Sequence, residues 1–154
     1  MGKTASSSFF TDAHIHVTAP LLPFLDGVPC IANADSPKEY DWLTKNKLPC
    51  MTISAGIHPW KAANTDWWEM EPILHTCTVI GEIGLDGIWC NTDISVQREV
   101  FRRQLFLAHR LGKPVILHTK GMESNFRTSV FLGACDRKLI RQSIRGPNIT
   151  ISGW

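Results

Sequence analysis

The stretch SVQREVFRRQLFLAHRLGKPVILH, residues 95–118, gives the most direct reading of the architecture. Residues 95–111 place Val96, Val100, Phe101, Leu105, Ala108 and Leu111 on one helical stripe, with Arg98, Arg102, Arg103 and Arg110 mainly on the other side. Gly112 and then Pro114 stop that helix in the expected order, a residue that turns easily followed by one that cannot continue the ladder. Val115, Ile116 and Leu117 come next, a short and wholly apolar run that reads as a strand buried on both faces and leading into His118. A helix feeding directly into such a strand is half of a βαβ crossover, so the segment predicts a parallel sheet.

Working outward, the same alternation repeats. Residues 9–17 read as a first strand, with Phe9-Phe10 as its apolar approach. Alternation there puts Asp12, His14 and His16 on one face and Ala13, Ile15 and Val17 on the other. Residues 28–32 form a weak second strand. Ser36, Pro37 and Glu39 then supply a cap, a first-turn proline and a first-turn acid for a helix ending near residue 46, with Tyr40 and Leu43 inward. Residues 50–56 are the third strand. Asp66 caps a second helix containing Trp67, Trp68, Ile73 and Leu74, and residues 78–83 are the fourth strand. Residues 148–152 make a candidate sixth strand. The expected class is α/β, five to six parallel βα units in a single domain, with residues 1–8 as a flexible leader and 124–154 as an atypical tail.

Composition agrees with an ordinary globular protein. The chain has 154 residues, 44% of them apolar and 19% charged, enough for one substantial core. A net charge of +2 argues neither for a strongly basic nucleic-acid groove nor against local basic clusters. Five cysteines, an odd number with no Cys-x-x-Cys pair, fit reduced thiols. With no membrane-length apolar run and no signal-type leader, the expected setting is the cytoplasm, without a membrane partner.

Candidate chemistry lies at the strand ends. Two imidazoles two residues apart on a strand stand about 7 Å apart at Cα, close enough to converge on one cation, where a helix would need four-residue spacing. On residue types alone, His14 and His16 fit equally well a strand end that exposes polar groups. The later segments change that balance. In parallel α/β folds, ligand sites gather at the carboxyl ends of the strands. His14 and His16 close the first strand, His58 follows the third, Glu82 closes the fourth and His118 closes the fifth. A lone histidine is more often structural, but four strands delivering His or Glu at one end point to a metal centre.

Four of these segments, in order, resemble the motifs of the TatD-type metal-dependent deoxyribonucleases. They are Asp12-Ala13-His14-Ile15-His16, Gly56-Ile57-His58-Pro59-Trp60, Ile80-Gly81-Glu82-Ile83-Gly84-Leu85-Asp86 and Pro114-Val115-Ile116-Leu117-His118-Thr119-Lys120. The helix with Gln97, Phe101, Gln104, Leu105 and Ala108 resembles that family's helix before strand five, and the likeness spans residues 9–122. It implies a (β/α)₈ TIM-barrel fold of the amidohydrolase group, one or two divalent ions (Mg, Mn or Zn), and hydrolysis of phosphodiester bonds in DNA. By the same resemblance His14, His16, Glu82 and His118 are metal ligands, with Glu82 able to bridge two ions. Glu82 and Asp86 are the catalytic carboxylates, Asp86 and His58 standing beside the site, and Asp12, His58 and Lys120 form the surrounding or substrate-facing set.

The chemistry is coherent with those types. A metal held by imidazoles and a carboxylate acidifies water and polarises a phosphoryl oxygen, and mixed nitrogen and oxygen donors suit Zn²⁺ or Mn²⁺. Lys120 reads equally as a phosphate contact or a solvated lysine. Trp60, Trp67 and Trp68 could stack on bases, but packing is the expectation for them.

The pattern departs from the family in two places. A full barrel needs about 250 residues. Ile149 also stands where a strand-six histidine would be counted before Ser152-Gly153, and no position remains for the strand-eight aspartate. The expectation is a truncated product whose tail comes from a shifted reading frame, with open sheet edges that favour self-association. Two other readings stay open, an amidohydrolase acting on a small amide or ester and a non-catalytic relative that binds metal without turnover.

Overall fold

The computed structural model describes residues 12–121 and the strand Ile149–Ser152. The leader, residues 9–11 of the first expected strand and the rest of the tail lie outside the described residues. Within them the chain runs β1 (Asp12–Ile15), β2 (Cys30–Ala34), α1 (Pro37–Lys45), β3 (Met51–Ala55), α2 (Trp67–Thr76), β4 (Val79–Asp86), α3 (Ile94–Leu111), β5 (Val115–Lys120) and β6 (Ile149–Ser152). All pairings are parallel, and the strand order in the six-stranded sheet is the chain order.

The local causes are those the residues announce. Ser36 Oγ accepts the Glu39 N–H at the start of α1, and Asp66 and Asp93 accept the second N–H of α2 and α3. Gly112, at φ 62°, takes the left-handed turn that ends α3, its N–H capping the last carbonyls. Lys113 then reaches across to the end of α2, where its ammonium donates to the carbonyls of Leu74, His75 and Cys77 at 2.8, 2.7 and 2.6 Å. These are groups a helix end leaves without partners of its own.

The core lies between helices and sheet. Leu43 of α1, Met70 and Leu74 of α2, Phe101 of α3 and Ile80, Ile83 and Leu85 of β4 are fully buried. β4 lies between β3 and β5, and all eight of its residues are buried. Its close approach to β5 leaves no room at Gly84, where a Cβ would overlap the His118 carbonyl.

Several boundaries differ from the sequence reading. The second strand begins two residues later than residue 28, because Val28 N–H closes a turn onto the Leu25 carbonyl. β4 continues to Asp86 in register with β5, Asp86 facing Lys120, so Glu82 lies in the middle of its strand and not at its end. On α3, Val96 is exposed, and the polar residues Gln97 and Gln104 are buried with Phe101 and Ala108. That swap follows from the backbone groups the two amides meet.

Candidate metal centre

Glu82 is the focus of the site. Its carboxylate is 7% exposed and projects from the middle of the fully buried strand β4. Around it stand four imidazoles: His118 Nδ1 at 3.0 Å from one oxygen, with His14 Nε2 at 3.3 Å, His16 Nε2 at 3.8 Å and His58 Nε2 at 3.8 Å from the other. His14 sits near the end of β1 and His16 just beyond it. Their rings meet edge to face, 5.1 Å apart at their centroids. His58 follows β3 at the head of a short 3₁₀ turn, Pro59–Lys61, and His118 lies midway along β5.

Among the described residues the donors fall into two triplets that share Glu82. One is His14, His16 and Glu82; the other is His58, Glu82 and His118, each with its ligand atoms within 4.8 Å of one another. Two tetrahedral ligands about 2.1 Å from one ion stand roughly 3.4 Å apart. The separations of 3.3 and 3.8 Å from Glu82 to His14, His16 and His58 bracket that spacing and exceed a good hydrogen bond, whereas His118 at 3.0 Å stands at hydrogen-bond distance. The donor set therefore fits a divalent cation.

Proton placement separates the four rings. Burial lowers the pKa of His14 against the pull of Glu82, and burial together with the charge of His118 lowers His58 to about 4. Both rings are neutral at pH 7. His16 is raised, chiefly by its bond to Glu82. Burial works against charge on His118 as well, but the bonds and charges of Glu82 and Asp86 outweigh it and raise its pKa.

Asp86 sets the orientation of His118. Its side chain is buried, and its Oδ2 faces His118 Nε2 at 3.2 Å and accepts the Trp60 indole N–H at 2.7 Å. Oδ1 accepts the backbone N–H groups of Ile88 and Trp89 at 2.9 and 2.8 Å. Burial alone would raise the Asp86 pKa, but those donors, Trp89 foremost, overcome it and hold the carboxyl at about 2. With a proton on Nε2 directed at Asp86, His118 presents Nδ1 to the centre, the arrangement that carboxylate–histidine pairs impose at metal sites. His58 differs. Its Nδ1 accepts the Trp60 backbone N–H at 3.3 Å, which in a neutral ring places the proton on Nε2, directed at His118 and Glu82. His58 in this state is a donor into the site.

Three of the expected residues lie outside the triplets: Asp86, behind His118, and also Asp12 and Lys120. Asp12 is exposed and caps its own strand, accepting the His14 N–H at 3.0 Å. Lys120 ends β5 beside Asp86, and its carbonyl accepts the Gly87 N–H.

The family described as TatD related DNase matches residues 11–130. The chain belongs to this family. It is 41% identical over 54 residues to a Bacillus subtilis (strain 168) protein named uncharacterized metal-dependent hydrolase YabD. It is 36% identical over 80 residues to the 3'-5' ssDNA/RNA exonuclease TatD of Edwardsiella piscicida. Those alignments take in 34% and 47% of this chain, and only 21% and 30% of the relatives' own lengths. In three dimensions the chain resembles YJJV, a TatD homolog from Escherichia coli K12, with a TM-score of 0.66, 20% identity, and coverage of 92% of this chain and 66% of the other. That likeness places the fold in the α/β barrel class of the TatD neighbour.

Sequence reasoning on this TatD-related chain overlooked the supports of the site. Gln104 is wholly buried on α3; its Oε1 accepts the Ile57 N–H at 2.6 Å, and its amide donates to the Ile57 carbonyl at 3.1 Å. One residue later comes His58. Two turns earlier on the same face, Gln97 accepts the Asp86 N–H at 2.9 Å and donates to the Asp86 and Thr92 carbonyls. The visible signal was a pair of amides seven residues apart on an otherwise apolar stripe. Trp60 was also expected to pack. Trp67 does so in part against the core, whereas Trp60 is 53% exposed and Trp68 more so.

Proposed function

We propose that this centre binds one or two divalent cations and hydrolyses phosphodiester bonds in single-stranded DNA. The observation that carries the reading is the group of four imidazoles around one buried carboxylate, split into two triplets by Glu82. The names of the relatives, a metal-dependent hydrolase and an exonuclease, support it.

In this reading His14, His16 and Glu82 hold one cation, and Glu82 with His118 holds part of a second. Nitrogen and oxygen donors together favour Zn²⁺ or Mn²⁺, with Mg²⁺ admitted where water completes the shell. A bound divalent cation supplies Lewis acidity, making water more acidic and drawing charge from a phosphoryl oxygen. The chain's own residues do the rest. Burial keeps His14 neutral, so one of its ring nitrogens carries a free lone pair near pH 7. Asp86, with both oxygens engaged, positions His118. Lys120, at the end of β5, offers its charge to the substrate phosphate, and Asp12 steadies the backbone that carries His14.

No helix among the described residues is long and apolar enough to cross a membrane, and the four described cysteines are free, which fits a cytoplasmic setting. Among the described residues β1 pairs only with β2, and we assign self-association to that edge, to be read by sedimentation.

The test is cleavage of end-labelled single-stranded DNA with Mn²⁺, Zn²⁺ or Mg²⁺, wild type beside His14→Ala. Metal-stimulated cleavage that falls at least a hundredfold in the variant supports the reading. Cleavage that ignores chelation, or that survives the substitution, defeats it.

A further inference from the structure

We propose that Trp60 is a stacking platform for an unpaired nucleobase next to the phosphate that the centre attacks. The proposal rests on the hydrolytic reading above for the position of that phosphate.

Trp60 differs from the other exposed aromatics in being both open and fixed. Its indole N–H, the one polar group of the ring, is turned inward to Asp86 at 2.7 Å. Its backbone N–H donates to His58 Nδ1, and its ring meets the His58 ring at 84°, with centroids 5.4 Å apart. A ring held at its N–H and against the His58 ring, on a backbone that is itself bonded to His58, loses little further freedom when a ligand covers it, so contact energy is not spent on ordering it. Even so, 53% of the residue faces solvent. The polar edge is satisfied, and what remains open is apolar π surface.

Its position selects the ligand. The oxygen of Asp86 that binds Trp60 Nε1 also faces His118 Nε2 at 3.2 Å, and the other nitrogen of His118 faces Glu82. One carboxylate therefore spaces the exposed indole from the centre that would take an anionic phosphate. A polymer that alternates phosphates with flat aromatic bases presents both groups at short, regular spacing, and every base has a face to stack. The neighbouring loop is anchored to the same carboxylate: Asp86 also accepts the backbone N–H of Trp89, a residue 68% exposed, and Cys90 Sγ donates to the Pro59 carbonyl at 3.3 Å. The loops that carry the two tryptophans are thus tied to each other and to Asp86. The base must be unpaired, since a paired base has its faces covered by its neighbours in the stack.

The test is binding, followed by fluorescence anisotropy with Mn²⁺ present. The probes are phosphorothioate-linked oligothymidylates that resist cleavage, one ending in a 3' base and one ending in an abasic residue. Wild type should prefer the base-ended probe. Trp60→Ala should weaken that probe about 5- to 150-fold and leave the abasic probe unchanged. Trp60→Phe keeps a stacking ring but removes the bond to Asp86, and should retain most of the preference. The proposal is overturned if wild type binds neither probe or treats the two alike, if Trp60→Ala weakens both equally, or if Trp60→Phe falls as far as Trp60→Ala, which would mark a purely structural role through Asp86. Failure of the hydrolytic reading looks different: the preference between probes persists while ordinary DNA remains uncut.

Discussion

Replacing Gln104 by methionine should destabilise the protein by about 2–4 kcal/mol. The side chain is wholly buried, and it satisfies both the N–H and the carbonyl of Ile57, itself 2% exposed. Methionine keeps the shape and removes both partners. Each buried backbone group left unmade costs roughly 1–3 kcal/mol, and the more apolar side chain returns part of that sum. With a urea slope of about 2 kcal/mol per molar, the midpoint should fall by roughly 1–2 M. Gln104→Glu sharpens the case. A carboxylate still accepts the Ile57 N–H but sets a charged oxygen against the Ile57 carbonyl, whereas a protonated carboxyl donates there as the amide did. The folded state then favours the protonated form, so the variant's deficit should be small below the unfolded glutamate pKa of about 4.3 and should grow as pH rises above it. Urea titrations of the three proteins at pH 4 and pH 8 measure both effects. A methionine variant within 0.5 kcal/mol of wild type, or a glutamate variant indifferent to pH, would refute the argument that this amide anchors the chain before His58.

Two other outcomes follow from the same geometry. Asp86 is depressed from 3.8 to about 2, so its contribution, on the order of 2 kcal/mol, is present above the unfolded value and disappears as pH falls through about 2. Asp86→Asn should flatten the stability profile between pH 4 and 2, and an unchanged slope in urea titrations over that range would contradict the assignment. Gly84→Ala sets a methyl group against the His118 carbonyl, and the two strands must part to admit it. We expect a loss above 3 kcal/mol, seen as a fall in Tm of 10 °C or more by circular dichroism, and a near-native Tm would count against so close an approach of β4 and β5.

The fold was legible because its signals are local. The Ser36 and Asp66 caps, the Gly112–Pro114 stop and the apolar Val115–Leu117 run each act within a few residues, and the structure places elements there. The donors His14, His16, Glu82 and His118 were legible for a related reason, since strand ends in a parallel sheet share one rim. Depth was less visible. Glu82 looked terminal because Gly84 interrupts the apolar run, yet the glycine is what lets β4 continue against β5. The roles of Gln97 and Gln104 depend on backbone groups 11 and 47 residues away, distances that no helical or strand period encodes. Trp60 was misjudged for the same reason, its partner Asp86 lying 26 residues downstream.

The coincidence of strand order with chain order bears on how the centre comes into being. Every strand pairs with its immediate successor, so a nascent chain can extend the sheet from one edge, each unit docking on the one made just before it. The donors are then recruited in sequence: His14 and His16 first, His58 next, Glu82 with β4, and His118 only after α3 has closed over the preceding strands. An ion captured early would meet two imidazoles and no carboxylate. Its affinity should therefore climb in steps during synthesis, with the last step coupled to the docking of β5, so that metal added during refolding accelerates the final phase more than the first.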